Sequence, residues 1–311
     1  AVACMPNTNP ALDDAAILAS LRQTVHREAL CRVHPIAAIT RGRQGREPCD
    51  YERLAAAGAV AFSDDGDSVE DEHVLRDAAL RALGVDPPIV DHCLPEETLV
   101  ARDLKLCAET SKRWHIAHVS TAAALQSISA ARSRGVAVTC EVTPHHLTFT
   151  EALAESRGAA AKVNPPLRTQ SDVDAMRCGV RDGTIDAFAS DHAPHTQQEK
   201  SGDFERAAPG FSGLEVAVGA YAAALPDLPL VRFVELLATN PARILNLRGG
   251  TLALGEPADV TIFAERSWIV DPATFASKGK CTPFAGRTLP RRVVATIVGG
   301  ELRYRAPDWA G

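Results

Sequence analysis

Between Ile185 and His195 the chain reads Ile-Asp-Ala-Phe-Ala-Ser-Asp-His-Ala-Pro-His, an apolar run ending in Asp191, His192 and His195. In α/β proteins, ionisable side chains gathered at the carboxyl end of a buried strand belong more often to a site than to a core. Three other segments end the same way. Ala59–Phe62 runs into Ser63-Asp64-Asp65-Gly66, Pro88–Val90 into Asp91-His92, and Ile116-Ala117 into His118. Asp65, His92, His118 and Asp191 are therefore the candidate metal ligands. Imidazole nitrogens with carboxylate oxygens form the borderline donor set that suits zinc. A metal-bound water whose pKa falls to about 7 is a hydroxide nucleophile near neutrality. A carboxylate beside it can take its proton and hand it to a leaving nitrogen. Taken singly, each histidine reads equally well as a hydrogen-bonded or surface imidazole. Asp65 reads alone as a turn or helix-capping carboxylate, and Asp64 competes with it. Four such residues on different strand ends are much harder to explain without a metal.

The elements that must position them alternate regularly. Ala1–Met5 reads as the end of a buried strand, followed by Pro6-Asn7-Thr8-Asn9-Pro10, a loop of turn formers. The pattern then predicts a helix from Asp13 or Asp14 to His26, a strand over His34–Thr40, a helix over Tyr51–Ala57 and a strand over Ala59–Phe62. An amphipathic helix over Glu70–Leu83 precedes Pro88–Val90. Helices over Glu96–Lys112, Ala122–Arg134 and Ser171–Arg181 separate strands at Ile116, Val136–Val142 and Ala187. Short apolar strands alternating with helices mean a parallel sheet. Polar residues at nearly every strand end put the site on one face, as in an α/β TIM-type (β/α)8 barrel. A doubly wound sheet would show a Gly-rich phosphate loop after an early strand, and none is present.

Strands near residues 3, 37, 61, 90, 117, 140 and 188 number seven, whereas a closed barrel of this kind needs eight. The expectation is that the first strand and its helix lie outside this sequence, which then reads as a fragment. Helices over Leu214–Leu225 and Leu228–Leu247 complete the outer layer, so residues 1–249 are read as the barrel. From Gly250 the composition turns to strand and turn, with a hairpin over Arg292–Arg305 around Gly299-Gly300. Residues 250–311 are read as part of a small β domain whose remaining strands precede residue 1.

A net charge of −6 without a basic cluster argues against nucleic acid or an anionic membrane as partner, and no apolar run is long enough to span a bilayer. The eight cysteines are scattered, without a Cys-x-x-Cys pair. They suit reduced, buried thiols and a cytoplasmic location. Cys93 beside His92 is read as one of these thiols rather than as a ligand.

Met5-Pro6-Asn7-Thr8, Phe62-Ser63-Asp64-Asp65-Gly66, His118-Val119-Ser120-Thr121, Thr143-Pro144-His145-His146, Asn164-Pro165-Pro166-Leu167-Arg168, Asp191-His192-Ala193-Pro194-His195 and Gly213-Leu214-Glu215 occur in that order. Together they resemble dihydroorotase, an amidohydrolase-superfamily enzyme. The tail agrees, with Ala258-Asp259-Val260-Thr261 and Ser277-Lys278-Gly279-Lys280-Cys281-Thr282-Pro283-Phe284, so the resemblance covers nearly the whole chain. It implies a barrel holding one or two zinc ions that reversibly converts N-carbamoyl-L-aspartate into dihydroorotate in pyrimidine synthesis. It implies that His92 and His118 are zinc ligands from the fifth and sixth strands and that Asp191 is both ligand and catalytic base. Asp65 stands where some members have a bridging carboxylate instead of a carboxylated lysine. Asn7, Asn164 and His195 match substrate-binding residues, and Pro209-Gly210 matches the loop that closes over substrate. A dianionic substrate needs donors of this kind. A homo-oligomer, with aspartate transcarbamoylase as a further partner, also fits the resemblance.

Two departures stand out. The family's His-x-His-x-Arg element on the first strand has no counterpart here, since no His-x-His occurs in the chain. The chain as given is therefore expected to bind metal weakly. The acidic residue and insertion that usually follow His92-Cys93 are replaced by Leu94-Pro95-Glu96-Glu97, which removes part of the wall around the site. A related cyclic amidase of the dihydropyrimidinase or allantoinase type is one alternative, disfavoured by the lack of a lysine near Asp65. A non-catalytic subunit that scaffolds aspartate transcarbamoylase is the other, favoured by the absent His-x-His. His26, His34, His73, His115, His145 and His146 are assigned no ligand role.

Overall fold

Side chains that accept from otherwise unpaired backbone N–H groups fix several helix starts. In a computed structural model, which describes residues 1–309, β1 (Val2–Cys4) leads through the proline-rich loop to α1 (Ala15–Glu28), capped by Asp14 on the Ala16 N–H. β2 (Val33–Pro35) precedes α2 (Tyr51–Ala56), capped by Asp50. α3 (Glu72–Arg81), capped by Asp71, leads to β3 (Ile89–Asp91) and α4 (Glu96–Thr110). β4 (Trp114–Ile116), α5 (Ala122–Ser133, capped by Thr121), β5 (Val138–Val142) and the short α6 (Ala152–Arg157) follow. α7 (Gln170–Asp182) begins with a full capping box between Thr169 and Asp172 and leads to β6 (Ala187–Phe188). α8 (Ala217–Ala224), α9 (Leu230–Val234) and α10 (Asn240–Ile244) close the helical layer.

The strands lie side by side in chain order and all run parallel. β1 pairs with β2, and β3, β4, β5 and β6 form one sheet. Between these groups Ala37 bridges Phe62, and Phe62 bridges Ile89. The expected third strand over Ala59–Phe62 is thus reduced to bridges around one residue, and the expected strand over His34–Thr40 ends at Pro35, where its partner β1 ends at Cys4 and turns into the proline-rich loop. Lys162-Val163 forms no strand. Among the described residues β1 and β6, the two ends of this array, are not hydrogen-bonded to one another. Ile36, Ala61, Val90 and Ala117 stack as an inner apolar layer, while Leu75, Leu104, Trp114, Ile128, Met176 and Phe233 lie in the larger core.

The expected continuous helix over Leu228–Leu247 is instead α9, a π-helical turn at Glu235–Thr239, and α10. Pro241 cannot donate to the carbonyl four residues back, and the ladder slips immediately before it. In the tail, β7 (Val260–Ala264), β10 (Arg292–Val298) and β11 (Glu301–Arg305) form an antiparallel sheet, and β8 (Trp268–Ile269) pairs with β9 (Thr288–Leu289). Gly299 and Gly300, at φ 60° and 84°, make the hairpin turn anticipated there. A second apolar cluster joins Phe149, Phe211 and Val216 to Val270, Phe284 and Leu289. The tail therefore packs directly behind the loops that follow β5 and β6. No helix is long and apolar enough to cross a membrane.

Candidate active site

Each candidate ligand sits just past a strand or bridge, where the backbone must turn its side chain across the barrel mouth. Among the described residues six non-glycine positions have positive φ, and three are candidate ligands: Asp65 at 56°, His118 at 34° and Asp191 at 44°. Such conformations cost about 1–3 kcal/mol each and gather at functional sites. His92 and His118 are buried, and their rings face one another with His92 Nδ1 2.7 Å from His118 Nε2. The outer nitrogens, His92 Nε2 and His118 Nδ1, have no hydrogen-bond partner. Burial, followed by the positive charges of His118 and Arg43, holds the His92 pKa well below the usual histidine value.

Asp65 accepts from Asn7 Nδ2 at 2.8 Å and lies 3.6 Å from Arg43 Nη2. Its neighbour Asp64 points the other way. Asp64 Oδ1 accepts from the Ile39 and Thr40 N–H groups at 2.8 and 3.0 Å, and Oδ2 accepts from Thr40 Oγ1. Burial raises the pKa of Asp64, and of Asp191 as well. The charges that further tune Asp191 include His118, which lowers its pKa, and Glu141 and Asp65, which raise it. Asp191 Oδ2 also lies 3.6 Å from His145 Nε2.

The residues expected to bind substrate are spread around this group. Asn7 and Asn164 are exposed, and His195 is half-buried. His195 Nε2 donates to the Pro209 carbonyl at 2.8 Å. Gly210, at φ 114°, lies so close to Ala193 that a Cβ would come within 2.6 Å of the alanine methyl and 3.3 Å of His195 Nε2. His192 turns away from the mouth. Its Nδ1 accepts from the Gly213 and Leu214 N–H groups at 3.1 and 3.2 Å, and its Nε2 meets Ser277 Oγ at 3.3 Å.

A sequence model of the amidohydrolase family matches residues 3–303. A dihydroorotase of Pelotomaculum thermopropionicum is 43% identical, with 97% of this chain and 78% of that protein aligned. One of Aquifex aeolicus is 40% identical over 98% of this chain and 79% of its own length. This chain belongs to the dihydroorotase family of amidohydrolases. An L-hydantoinase from Arthrobacter aurescens, 22% identical, superimposes with a TM-score of 0.86 over 96% of this chain and 76% of its own. A D-hydantoinase, 19% identical, reaches 0.83 over 99% and 77%. These structures share the fold. The two dihydroorotase alignments run over 332 and 335 positions, more than the 311 residues here, so the relatives carry stretches that this family member lacks.

The donors of this dihydroorotase-family chain fit a divalent metal at the facing His92–His118 pair. At 2.7 Å the facing nitrogens share one N–H···N hydrogen bond, and each becomes a donor to a metal only once that proton is gone and the rings part slightly. No three of Asp65, His92, His118 and Asp191 bring ligand atoms within 4.8 Å of one another. Among the described residues the one trio that does so is Asp91, Cys93 and Asp103. Arg102 already occupies that cluster, donating to Asp91 at 3.1 Å and to Asp103 at 2.8 Å, and Cys93 Sγ donates to Asp103 at 3.3 Å. It is a buried ion network held by Arg102.

Three neighbours of the site were not anticipated. Arg43 reaches Asp65 from a backbone at φ 58°. His145 is buried against Asp191 with both ring nitrogens otherwise unpartnered. His115 pairs with Glu141 at 3.2 Å inside the barrel. Burial raises the Glu141 pKa, but the hydrogen bond and charge of His115, with the charge and backbone N–H of His118, together outweigh it and hold the carboxyl below its usual range. The alternation Thr139-Cys140-Glu141 carries the signal, because polar residues at every second strand position face one side.

Proposed function

We propose that this chain carries a zinc-dependent dihydroorotase site that interconverts N-carbamoyl-L-aspartate and (S)-dihydroorotate in de novo pyrimidine synthesis. The observation that carries the reading is the buried His92–His118 pair, whose ring nitrogens meet at 2.7 Å at adjacent strand ends while the outer nitrogens have no partner. The names of the relatives supply the substrate. Zinc held by His92 and His118, with Asp65 and Asp191 at its edge, would supply an acidified water and polarise the ring carbonyl. Asp191, whose proton affinity is raised by burial, is placed to hold the proton of an attacking water and to return it to the departing ring nitrogen. Asn7 and Asn164 donate to the substrate's oxygens. His195, held to Pro209, joins them beneath the loop that Gly210 seats against Ala193. Eight cysteines without a disulfide support a reducing, cytoplasmic setting.

The test is hydrolysis of dihydroorotate by the zinc-loaded chain and by Asp191→Ala. Loss of the proton carrier lowers kcat by at least 10²–10⁴-fold. Turnover in the variant within threefold of the parent sinks the mechanism. The second reading, a non-catalytic subunit that scaffolds aspartate transcarbamoylase, is favoured by the absence of any His-x-His in the chain. It requires that the parent, with metal bound, show no turnover and co-elute with that transcarbamoylase.

A further inference from the structure

We propose that Glu96 is a positioning residue that holds the backbones carrying His92, His118 and Asn164 in register, an inference that rests on the metal-site reading above. Glu96 opens α4 and is only 4% exposed, whereas the next residue, Glu97, is exposed. Its Oε1 accepts from the Ser120 N–H at 2.8 Å, the Thr121 N–H at 2.9 Å and Thr121 Oγ1 at 3.2 Å. Its Oε2 accepts from Ser120 Oγ and, at 3.4 Å, from Arg168 Nη2. Arg168 Nε closes the network by donating to Ser120 Oγ at 3.0 Å.

These five donors come from two segments, and the carboxylate itself hangs from a third. Glu96 follows His92 across only Cys93-Leu94-Pro95, Ser120 lies two residues past His118, and Arg168 ends the segment that begins at Asn164. One buried carboxylate therefore links an imidazole-bearing strand end, the neighbouring imidazole-bearing strand end and a substrate-binding loop. Helix capping does not require this, because Thr121 already caps α5 by accepting from Ala124 N. His118 does require something of the kind. At φ 34° it is strained, and the Ser120 and Thr121 N–H groups gripped by Glu96 belong to the residues that hold its turn in place.

Glu96→Gln keeps the side chain's size and removes its charge and one acceptor oxygen. Cobalt(II) in place of zinc gives a visible spectrum that reports ligand geometry without substrate. The Glu96→Gln chain should bind Co²⁺ at least about tenfold more weakly than the parent, with shifted absorption bands. Arg168→Met cuts only the link to Asn164, so it should raise KM for dihydroorotate several-fold and leave the Co²⁺ spectrum unchanged. A clasp that merely stabilises the fold would lower the urea midpoint and move neither metal affinity nor KM. Parent-like Co²⁺ affinity and spectrum in Glu96→Gln overturn the proposal. If that variant does not fold, an unchanged KM in Arg168→Met overturns it instead. A parent that binds Co²⁺ without turning over dihydroorotate refutes the substrate assignment alone and leaves the metal-binding arm of the test to decide on Glu96.

Discussion

Substituting the adjacent aspartates Asp64 and Asp65 should separate folding from chemistry. Asp64 is 2% exposed, and its carboxylate is the acceptor for two backbone N–H groups and the Thr40 hydroxyl. Asp64→Ala leaves the Ile39 and Thr40 amides buried without partners, at about 1–3 kcal/mol each. Part of that loss is returned, because the buried carboxylate was itself costly to desolvate, as its raised pKa indicates. The net expectation is a loss of about 3 kcal/mol. Asp65 differs in both respects. Its side chain is 22% exposed, and its backbone sits at φ 56°, a conformation asparagine tolerates. Asp65→Asn keeps an oxygen for Asn7 and should change stability by less than about 0.5 kcal/mol. It removes the charge proposed to meet the metal. Urea unfolding of both variants, with metal content measured on the same preparations, gives the comparison. Asp64→Ala should lower the urea midpoint at unchanged slope, and Asp65→Asn should lose metal at an unchanged midpoint. The opposite pattern, or equal destabilisation by both, refutes the assignment of the two side chains.

Two further outcomes concern the frame of the site. Burial, first of all, pushes the His146 pKa down from 6.5 to about 3, against the opposing pull of the Pro165 carbonyl at 3.1 Å, while Thr143 Oγ1 lies 2.8 Å from the other ring nitrogen. The unfolded chain takes up a proton that the folded chain refuses. This contribution to stability is therefore complete above pH 6.5 and is lost as pH falls toward 3, by at most about 1.4 kcal/mol per unit. Urea midpoints measured across that range should fall more steeply for the parent than for His146→Gln, and parallel profiles would contradict the assignment. Tyr221, stacked on Phe188, points its hydroxyl at the carbonyls of Val142 and Ala189 at 2.6 and 2.7 Å. Tyr221→Phe should cost about 1–2 kcal/mol in urea unfolding, because the two strand ends lose a shared donor, and an unchanged midpoint would count against that role.

Alternation of short apolar runs with capped helices made the parallel array legible from the sequence, although the expected strand over Ala59–Phe62 survives only as bridges at Phe62. Asp14, Thr121 and Thr169 act locally, so their helix starts can be read to within a residue, whereas the start expected at Glu70 moves to Glu72 because Asp71 caps it. The candidate ligands were legible because strand ends expose whatever follows the apolar run. The choice between Asp64 and Asp65 was not, since it turns on Thr40, which lies 24 residues away. Glu96 reads as an ordinary first-turn acid on α4 until the chain brings Ser120 and Arg168 to it. The π-helical turn before Pro241 was hidden for a different reason. The apolar period there continues through the slip, and only the missing proline N–H marks it.

The backbone strain at the candidate ligands shows how the rest of the chain serves them. Asp65, His118 and Asp191 each adopt a conformation that L-residues with a Cβ ordinarily avoid, and each is followed or flanked by a group that keeps it there. The Asp65 N–H donates to Ser63 Oγ at 3.0 Å, and its carboxylate is met by Asn7. Past His118, the Ser120 and Thr121 amides are gripped by Glu96. Past Asp191, His192 accepts from Gly213 and Leu214 and meets Ser277, while the Gly279 backbone packs so tightly on His195 that a Cβ would come within 2.7 Å of its carbonyl. In each case the holding group lies far away in sequence or on the opposite side of the turn, so the strained conformer is imposed by tertiary structure. The tail that packs behind β6 is therefore part of what aims Asp191. By this logic Ser277→Ala should lower kcat for dihydroorotate hydrolysis, through the proton transfer proposed for Asp191, at an unchanged urea midpoint, and an unchanged kcat would refute it.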